Sequence, residues 1–459
     1  VAAAGQADLP AIWREFGFLT PDSIGNWPEG LSLPAKPVPV GQTYGYASRI
    51  LPPVGLTIGN LGCAACHASV MYDAEGNPDP RRIWLGMPNG SINLDHYTTQ
   101  LFRAVQDFGQ DPASLMAVVK ALYPETGWRE RLTLRWIVLP EFQRVVAERE
   151  DMFGGPLPFR ASLAGATNGM DALRFRLGLI PAGAVVPDSV FSSIPDLGGR
   201  LWRRALLSTA GYAIPGTTGP QVMTRDDVTA AHRADLAGII AFFTVPSMGV
   251  SPEIARTRIP DALAVTEWMA TYDAQPFPGP VATGALPLGR YIYARACASC
   301  HGSYDDSLTD PALVSFPNWT GDVGTDPARA LYATPELAAA VNSGPFGAHI
   351  DAQTHSTYAA PPLEGLWASA PYLQNGSVPT LWHLMRPAAR PGSFFVGGHR
   401  IDLQHVGIDL DPPDGYTPWS RPVFIDTSDF GLSNQGHEIG FAGLSDAEKD
   451  ALLEYLKLL

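Results

Sequence analysis

Cys297-Ala298-Ser299-Cys300-His301 decides how this chain is read, and Cys63-Ala64-Ala65-Cys66-His67 repeats it. In each stretch two thiols stand three positions apart with a histidine directly behind the second. Thiols at that spacing can add to the two vinyl groups of one haem, and the adjoining histidine is then held under the iron as its proximal ligand. A C-x-x-C pair also occurs in thioredoxin-like redox sites and in halves of zinc sites, but neither accounts for a histidine at the fifth position twice. These motifs hold all four cysteines of the chain, so no thiol remains for a disulfide. The expectation is two covalently bound haem c groups, one on Cys63, Cys66 and His67 and one on Cys297, Cys300 and His301.

Composition sets the surroundings of these motifs. At 459 residues the chain is long enough for two or three domains. Its 46 glycines and 43 prolines make up about a fifth of the residues, which predicts extensive irregular loop wrapped around something else. A formal net charge of −14 argues against nucleic-acid and anionic-membrane partners, because both repel an acidic surface. No apolar run approaches the roughly 18 to 20 residues of a membrane span. The start, Val1-Ala2-Ala3-Ala4-Gly5, reads as the small apolar remainder of a removed signal peptide. Covalent haem attachment in bacteria takes place outside the inner membrane, so the expected location is periplasmic or secreted.

Helical spacing is read over residues 7–17, 93–107, 113–122, 128–149, 226–243 and 260–272. Asp226 or Asp227 is the expected cap of the fifth of these. Leu288, Gly289, Tyr291, Ile292 and Tyr293 belong to a helix leading into Cys297. Ser445-Asp446-Ala447-Glu448 is a capping box, followed by Ala451, Leu452, Tyr455, Leu456 and Leu459 on one face. In small c-type cytochromes two such helices cross, with a glycine on one admitting an aromatic from the other, and Gly289 with Tyr455 is the expected pair. The predicted fold is mostly α with extensive irregular loops: two cytochrome c-type haem domains, 1–150 and 285–459, joined by a loop-rich middle region, 151–284, that covers the first haem.

Several residues stand out as site candidates. A sixth ligand for the first haem could come from His96, Met71, Met87 or His232, or be absent. Trp84, Phe191 and Trp202 could line an apolar distal pocket. Arg290 and Arg400 are candidate partners for haem propionates, since guanidinium matches a carboxylate in bidentate fashion. His437, with Gly436 before it and Gly440 close behind in the stretch before the terminal helix, could approach a flat porphyrin without backbone obstruction.

The stretch from Tyr358-Ala359-Ala360-Pro361-Pro362-Leu363-Glu364-Gly365 through Ala370-Pro371-Tyr372-Leu373-Gln374-Asn375-Gly376-Ser377-Val378-Pro379 resembles a known superfamily. Phe394-Phe395-Val396-Gly397-Gly398, Phe424-Ile425-Asp426-Thr427 and Ser433-Asn434-Gln435-Gly436-His437-Glu438-Ile439-Gly440 agree with it. The likeness is to the dihaem cytochrome c peroxidase and MauG superfamily, and within it to the latex-degrading rubber oxygenases and their uncharacterised relatives. It is dense over 285–459, looser over the first haem and weak over 150–280; Gln374 stands where the relatives commonly have histidine. The resemblance implies that His437 is the distal ligand of a bis-His second haem, and that the first haem holds dioxygen on an open face.

Two function classes follow. One is an enzyme: a dihaem oxidoreductase with an open, dioxygen- or peroxide-reactive first haem and an electron-transferring second haem. Its partners would be a redox protein and an apolar small-molecule or polymer substrate. An oxygenase would want an apolar distal pocket, whereas a peroxidase would want a distal acid or base, for which Glu125, Glu130 and Glu141 are in range by sequence. The other class is an electron carrier with both haems six-coordinate. The chain is more than twice the roughly 200 residues that two carrier domains need, which favours the enzyme.

Overall fold

The computed structural model describes residues 9–27, 42–46, 57–109, 111–148, 163–181, 184, 186, 188–219 and 221–459. Residues 1–8, and 28–41 with 47–56 of the stretch before the first C-x-x-C-H motif, lie outside them. Among the described residues no helix is long and apolar enough to cross a membrane.

The helices that spacing predicts are formed, with instructive differences at their ends. Leu94–Gly109 is followed by Pro112–Leu122, whose cap Asp111 accepts from the N–H groups of Ala113 and Ser114 with Pro112 in the first turn. The stretch expected as one helix over 128–149 is broken by a π-helical turn, Leu134–Val138, between Trp128–Thr133 and Leu139–Glu148. Ala230–Phe242 starts later than expected, because Thr229 caps it. Asp227 instead closes a capping box with Thr224 over the short turn Arg225–Asp227. Ile259–Met269 follows.

Leu286–Ala296 and Asp446–Leu456 cross as expected. The Ser445 capping box is complete, with its hydroxyl accepting from Glu448 N–H and the Glu448 carboxylate accepting from Ser445 N–H. At the crossing a Cβ on residue 289 would lie 2.1 Å from the Ala451 carbonyl oxygen and 2.8 Å from Tyr455 Cβ. Only glycine lets the helices approach this closely.

The mostly α expectation is overturned: the chain is 38% helical and 14% strand, with many small sheets. Ala68–Tyr72 pairs antiparallel with Pro78–Leu85, which takes Ser23–Ile24 in parallel on its other edge. Ser393–Val396 pairs with Val423–Asp426, and Asp351–Ala352 with Tyr212–Ala213. The physical reason is backbone satisfaction. Loops that wrap a buried space must pair their N–H and C=O groups, and loops running side by side do so over short stretches. Most of these strands are too short to carry a period-2 pattern, and the longer Ala68–Tyr72 and Pro78–Leu85 do not alternate apolar with polar residues.

One core unites Met87, Leu163 and Phe191 with Ile292, Trp367, Tyr372, Leu452 and Tyr455. A second gathers Leu173, Leu236, Ile239 and Phe242 with Leu337, Val341, Phe346 and Ile350. The middle of the chain is thus packed into its C-terminal part, and the space left between these elements is the site.

Candidate haem site

Both C-x-x-C-H motifs open into one cavity of about 670 Å³. Each is wound into a tight turn. Cys63–Ala65 forms a single 3-10 turn that the N–H groups of Cys66 and His67 close on the Cys63 carbonyl. Ala298–His301 continues directly from the helix Leu286–Ala296, with Cys300 and His301 N–H bonded to the Cys297 carbonyl. A helical turn sets residues three apart on one side, which brings each pair of thiols together. No disulfide joins them. Burial pushes Cys66 and Cys297 up to about 12, with the partner thiol of each pair adding to it, so both are neutral thiols at physiological pH.

The two histidines are held alike. His67 Nδ1 donates to the Pro195 carbonyl at 3.1 Å, and His301 Nδ1 donates to the Pro361 carbonyl at 2.8 Å. A carbonyl oxygen can only accept, so Nδ1 carries the proton and Nε2 is left bare for a metal. Desolvation pushes both imidazoles down to about 4, which keeps them in the neutral form that ligation needs. The sequence reading missed these acceptors, although a signal was there. Pro195-Asp196-Leu197-Gly198-Gly199 and Pro361-Pro362-Leu363-Glu364-Gly365 share the pattern Pro-x-Leu-x-Gly.

Across from His301 stands His437, with ring centroids 5.9 Å apart. Two metal–imidazole bonds of about 2 Å, with roughly 1 Å from each nitrogen to its ring centre, span about 6 Å, so an iron fits between the rings. The loop that carries His437 is built for this approach. Gly436 lies so close to Gly324 that a Cβ would be 2.3 Å from its carbonyl carbon. His437 itself is left-handed, with φ +59°, a conformation costing a non-glycine residue about 1–2 kcal/mol. Its N–H donates to the Val323 carbonyl at 2.7 Å, and Arg390 Nη2 donates to the Gly436 carbonyl at 3.0 Å. Among the described residues, the buried imidazole Nδ1 has no partner within hydrogen-bonding distance.

The other candidates lie elsewhere. His96 Nε2 is 3.5 Å from a Glu15 carboxylate oxygen and its ring packs on Phe16. His232 Nε2 is engaged with the Leu201 carbonyl at 2.8 Å. Neither lines the cavity, and neither do Met71 or Met87. Trp84 donates to the Asp273 carbonyl, Phe191 is fully enclosed in the larger core, and Trp202 sits in the turn Arg200–Trp202; none of the three reaches the cavity wall. The apolar wall is built by Leu206, Leu236, Ile240, Phe243, Met248 and Val265. These are middle-region residues, and Leu236 and Ile240 stand in the helix Ala230–Phe242, whose periodicity reads as ordinary core.

The arginine candidates are likewise displaced. Arg290 pairs with Asp306 at the surface, and Arg400 binds Asp409 at 3.0 Å and Asn77 at 2.8 Å. Guanidinium groups with a carboxylate already in hand are not needed for a propionate. The cavity is lined instead by Arg200, Arg203 and Arg329. Arg203 is 5% exposed, and its Nη2 bonds only the Leu207 carbonyl. Desolvation first, and neighbouring Arg200 second, push it down to about 9. Arg329 is 6% exposed, and its Nη1 has no hydrogen-bond partner. Buried cations call for an anion, and the propionates of a haem would supply it.

Comparison with known proteins agrees in kind. Residues 357–395 match the family described as RoxA-like, cytochrome c-like. The uncharacterized protein y4iM of Sinorhizobium fredii is 30% identical over 216 residues, 39% of this chain and 50% of that protein. The uncharacterized protein y4iJ of the same organism is 40% identical over 116 residues, 23% of this chain and 18% of that protein. The chain therefore spans half or less of the length of these relatives. A RoxA-like, cytochrome c-like segment implies covalently bound haem c and supports a haem cytochrome c oxidoreductase role in general.

Proposed function

We propose that the protein is a periplasmic or secreted dihaem c-type oxidoreductase acting with dioxygen or peroxide on an apolar substrate, and receiving or delivering electrons through a redox partner protein. The haem on Cys63, Cys66 and His67 is the reactive one. The haem on Cys297, Cys300, His301 and His437 transfers electrons. The division into haem domains 1–150 and 285–459 with a covering region 151–284 belongs to the same proposal. The observation that carries it is the single cavity shared by both motifs, in which a histidine stands opposite His301 while Met71, Met87, His96 and His232 all lie away from the lining.

Bound haem iron supplies the one-electron and oxygen or peroxide chemistry. The chain's own residues do the rest. The Pro195 and Pro361 carbonyls hold the proton of each proximal histidine at Nδ1 and fix its ring. Leu206, Leu236, Ile240 and Phe243 exclude water and offer contact to an apolar substrate. Arg203 and Arg329 offset carboxylate charge inside the wall. Glu125, Glu130 and Glu141, the sequence candidates for a peroxidase's distal acid or base, do not line the cavity, whereas Glu364 does.

Intact mass and a pyridine haemochrome assay of the holoprotein test the reading. Two covalent haem c groups per chain are expected; one or none would overturn it. Two haems that both stay low-spin and ignore carbon monoxide after reduction would leave an electron carrier.

A further inference from the structure

The loops that supply the two histidine acceptors interlock. A Cβ on Gly199 would lie 2.5 Å from Pro362 Cβ, one on Gly198 would lie 2.6 Å from Glu364 Cβ, and one on Gly365 would lie 2.4 Å from the Asp196 carboxyl carbon. Three glycines thus give way where the opposite loop passes. Asp196, fully buried, accepts from Gly198 N–H at 2.7 Å and from the Tyr272 hydroxyl at 3.1 Å, while its carbonyl accepts from Arg200 Nε at 2.7 Å. On the other loop Leu363 N–H donates to the Tyr304 hydroxyl at 3.0 Å. Each loop is therefore fastened to its surroundings as well as to its neighbour.

We propose that the loops 195–199 and 361–365 form one rigid strut that couples the two haem centres, with Asp196, Pro362 and Glu364 as positioning residues. The inference rests on the dihaem reading. His67 ends on Pro195, one residue from Asp196; His301 ends on Pro361, one residue from Pro362. Between them lie only contacts with no slack, and a close-packed interior transmits displacement instead of absorbing it. The Nδ1–H···O=C bond sets the basicity of a ligating imidazole, so a shift of either carbonyl alters its own haem and, through the strut, the other.

Pro362→Ala in the holoprotein is the deciding variant. It changes no charge and leaves both carbonyl acceptors in place, so direct electrostatics cannot produce its effect. Redox titrations followed by absorption and EPR separate a low-spin bis-His haem from an open one. The expected result is a shift in midpoint potential and EPR signature of the haem on Cys63 and Cys66, together with that of the haem on Cys297 and Cys300. Asp196→Asn, on the opposite loop, is expected to move the Cys297 haem in the converse experiment, and it remains available should the first variant not fold. Effects confined to the haem on the altered loop would overturn the strut. A haemochrome count below two would instead sink the dihaem reading, leaving the two failures distinguishable.

Discussion

Gly289→Ala is expected to destabilise the protein, against the direction that helix propensity alone gives. In a helix interior the change from glycine to alanine gains about 1 kcal/mol. Here the new methyl would meet the Ala451 carbonyl oxygen at 2.1 Å and Tyr455 Cβ at 2.8 Å. Ordinary contact is about 3.5 Å, and neither partner can swing aside, since one is backbone and the other is the root of a side chain only 1% exposed. The helices must part by about 1 Å, which places the cost at the upper end of the ~1–3 kcal/mol range for overpacking. The clash prevails by about 2 kcal/mol. Guanidinium denaturation of the holoprotein followed by circular dichroism measures it, with Gly284→Ala as comparison, because nothing lies within 4 Å of a Cβ there. Since the helix runs straight into Cys297, the variant should also perturb the spectrum of the second haem. A midpoint equal to or above that of the wild type would refute the steric account.

Three further outcomes follow from the site. Glu364 is raised from 4.5 to about 7, chiefly by desolvation. The folded state therefore holds this proton more tightly than the unfolded one, and the stability this gives is present below about pH 4.5 and lost as pH rises through about 7. Denaturation series across that window should show Glu364→Gln gaining on the wild type as pH rises; a constant difference would contradict the assignment. His96→Ala should leave both haem spectra unchanged, since the ring faces Glu15 and Phe16, and loss of a low-spin signal would show that it ligates after all. Arg203→Leu removes a buried cation from the cavity wall and should lower the midpoint potential of the nearer haem by on the order of tens of millivolts, because positive charge favours the reduced state. A potentiometric titration showing no change, or a rise, would argue against that placement.

What was legible in the sequence was whatever rests on short range. The two C-x-x-C-H turns and the Ser445 box each depend on residues within one or two turns of helix, and all are formed; the Gly289–Tyr455 crossing joins two helices far apart in the chain and was expected from small c-type cytochromes, and it is formed too. His437 drew attention chiefly through the family resemblance, with adjoining Gly436 as a lesser sign of close backbone approach, and the structure sets its ring opposite His301. The rest depends on segments far apart in the chain. The carbonyl that fixes His67 comes from Pro195, 128 residues away, and only the repeated Pro-x-Leu-x-Gly pattern hints at it. Arg203 and Arg329 look like any surface arginine until folding buries them in the cavity wall. Trp84, Phe191 and Trp202 drew attention as aromatics near a porphyrin, yet ordinary packing and one indole hydrogen bond account for them. The small sheets escaped because most of their strands are too short to show a period, and Pro78–Leu85 has no apolar alternation.

The central claim is one open haem beside one closed by His301 and His437. The most direct test is to reduce the holoprotein, add carbon monoxide, and count the fraction of haem that binds it, with EPR of the oxidised protein alongside. The account predicts binding to one haem of two, and a bis-His low-spin signal that persists in the wild type but is lost in His437→Ala. Carbon monoxide binding to neither haem, or an unchanged low-spin signal in His437→Ala, would contradict it.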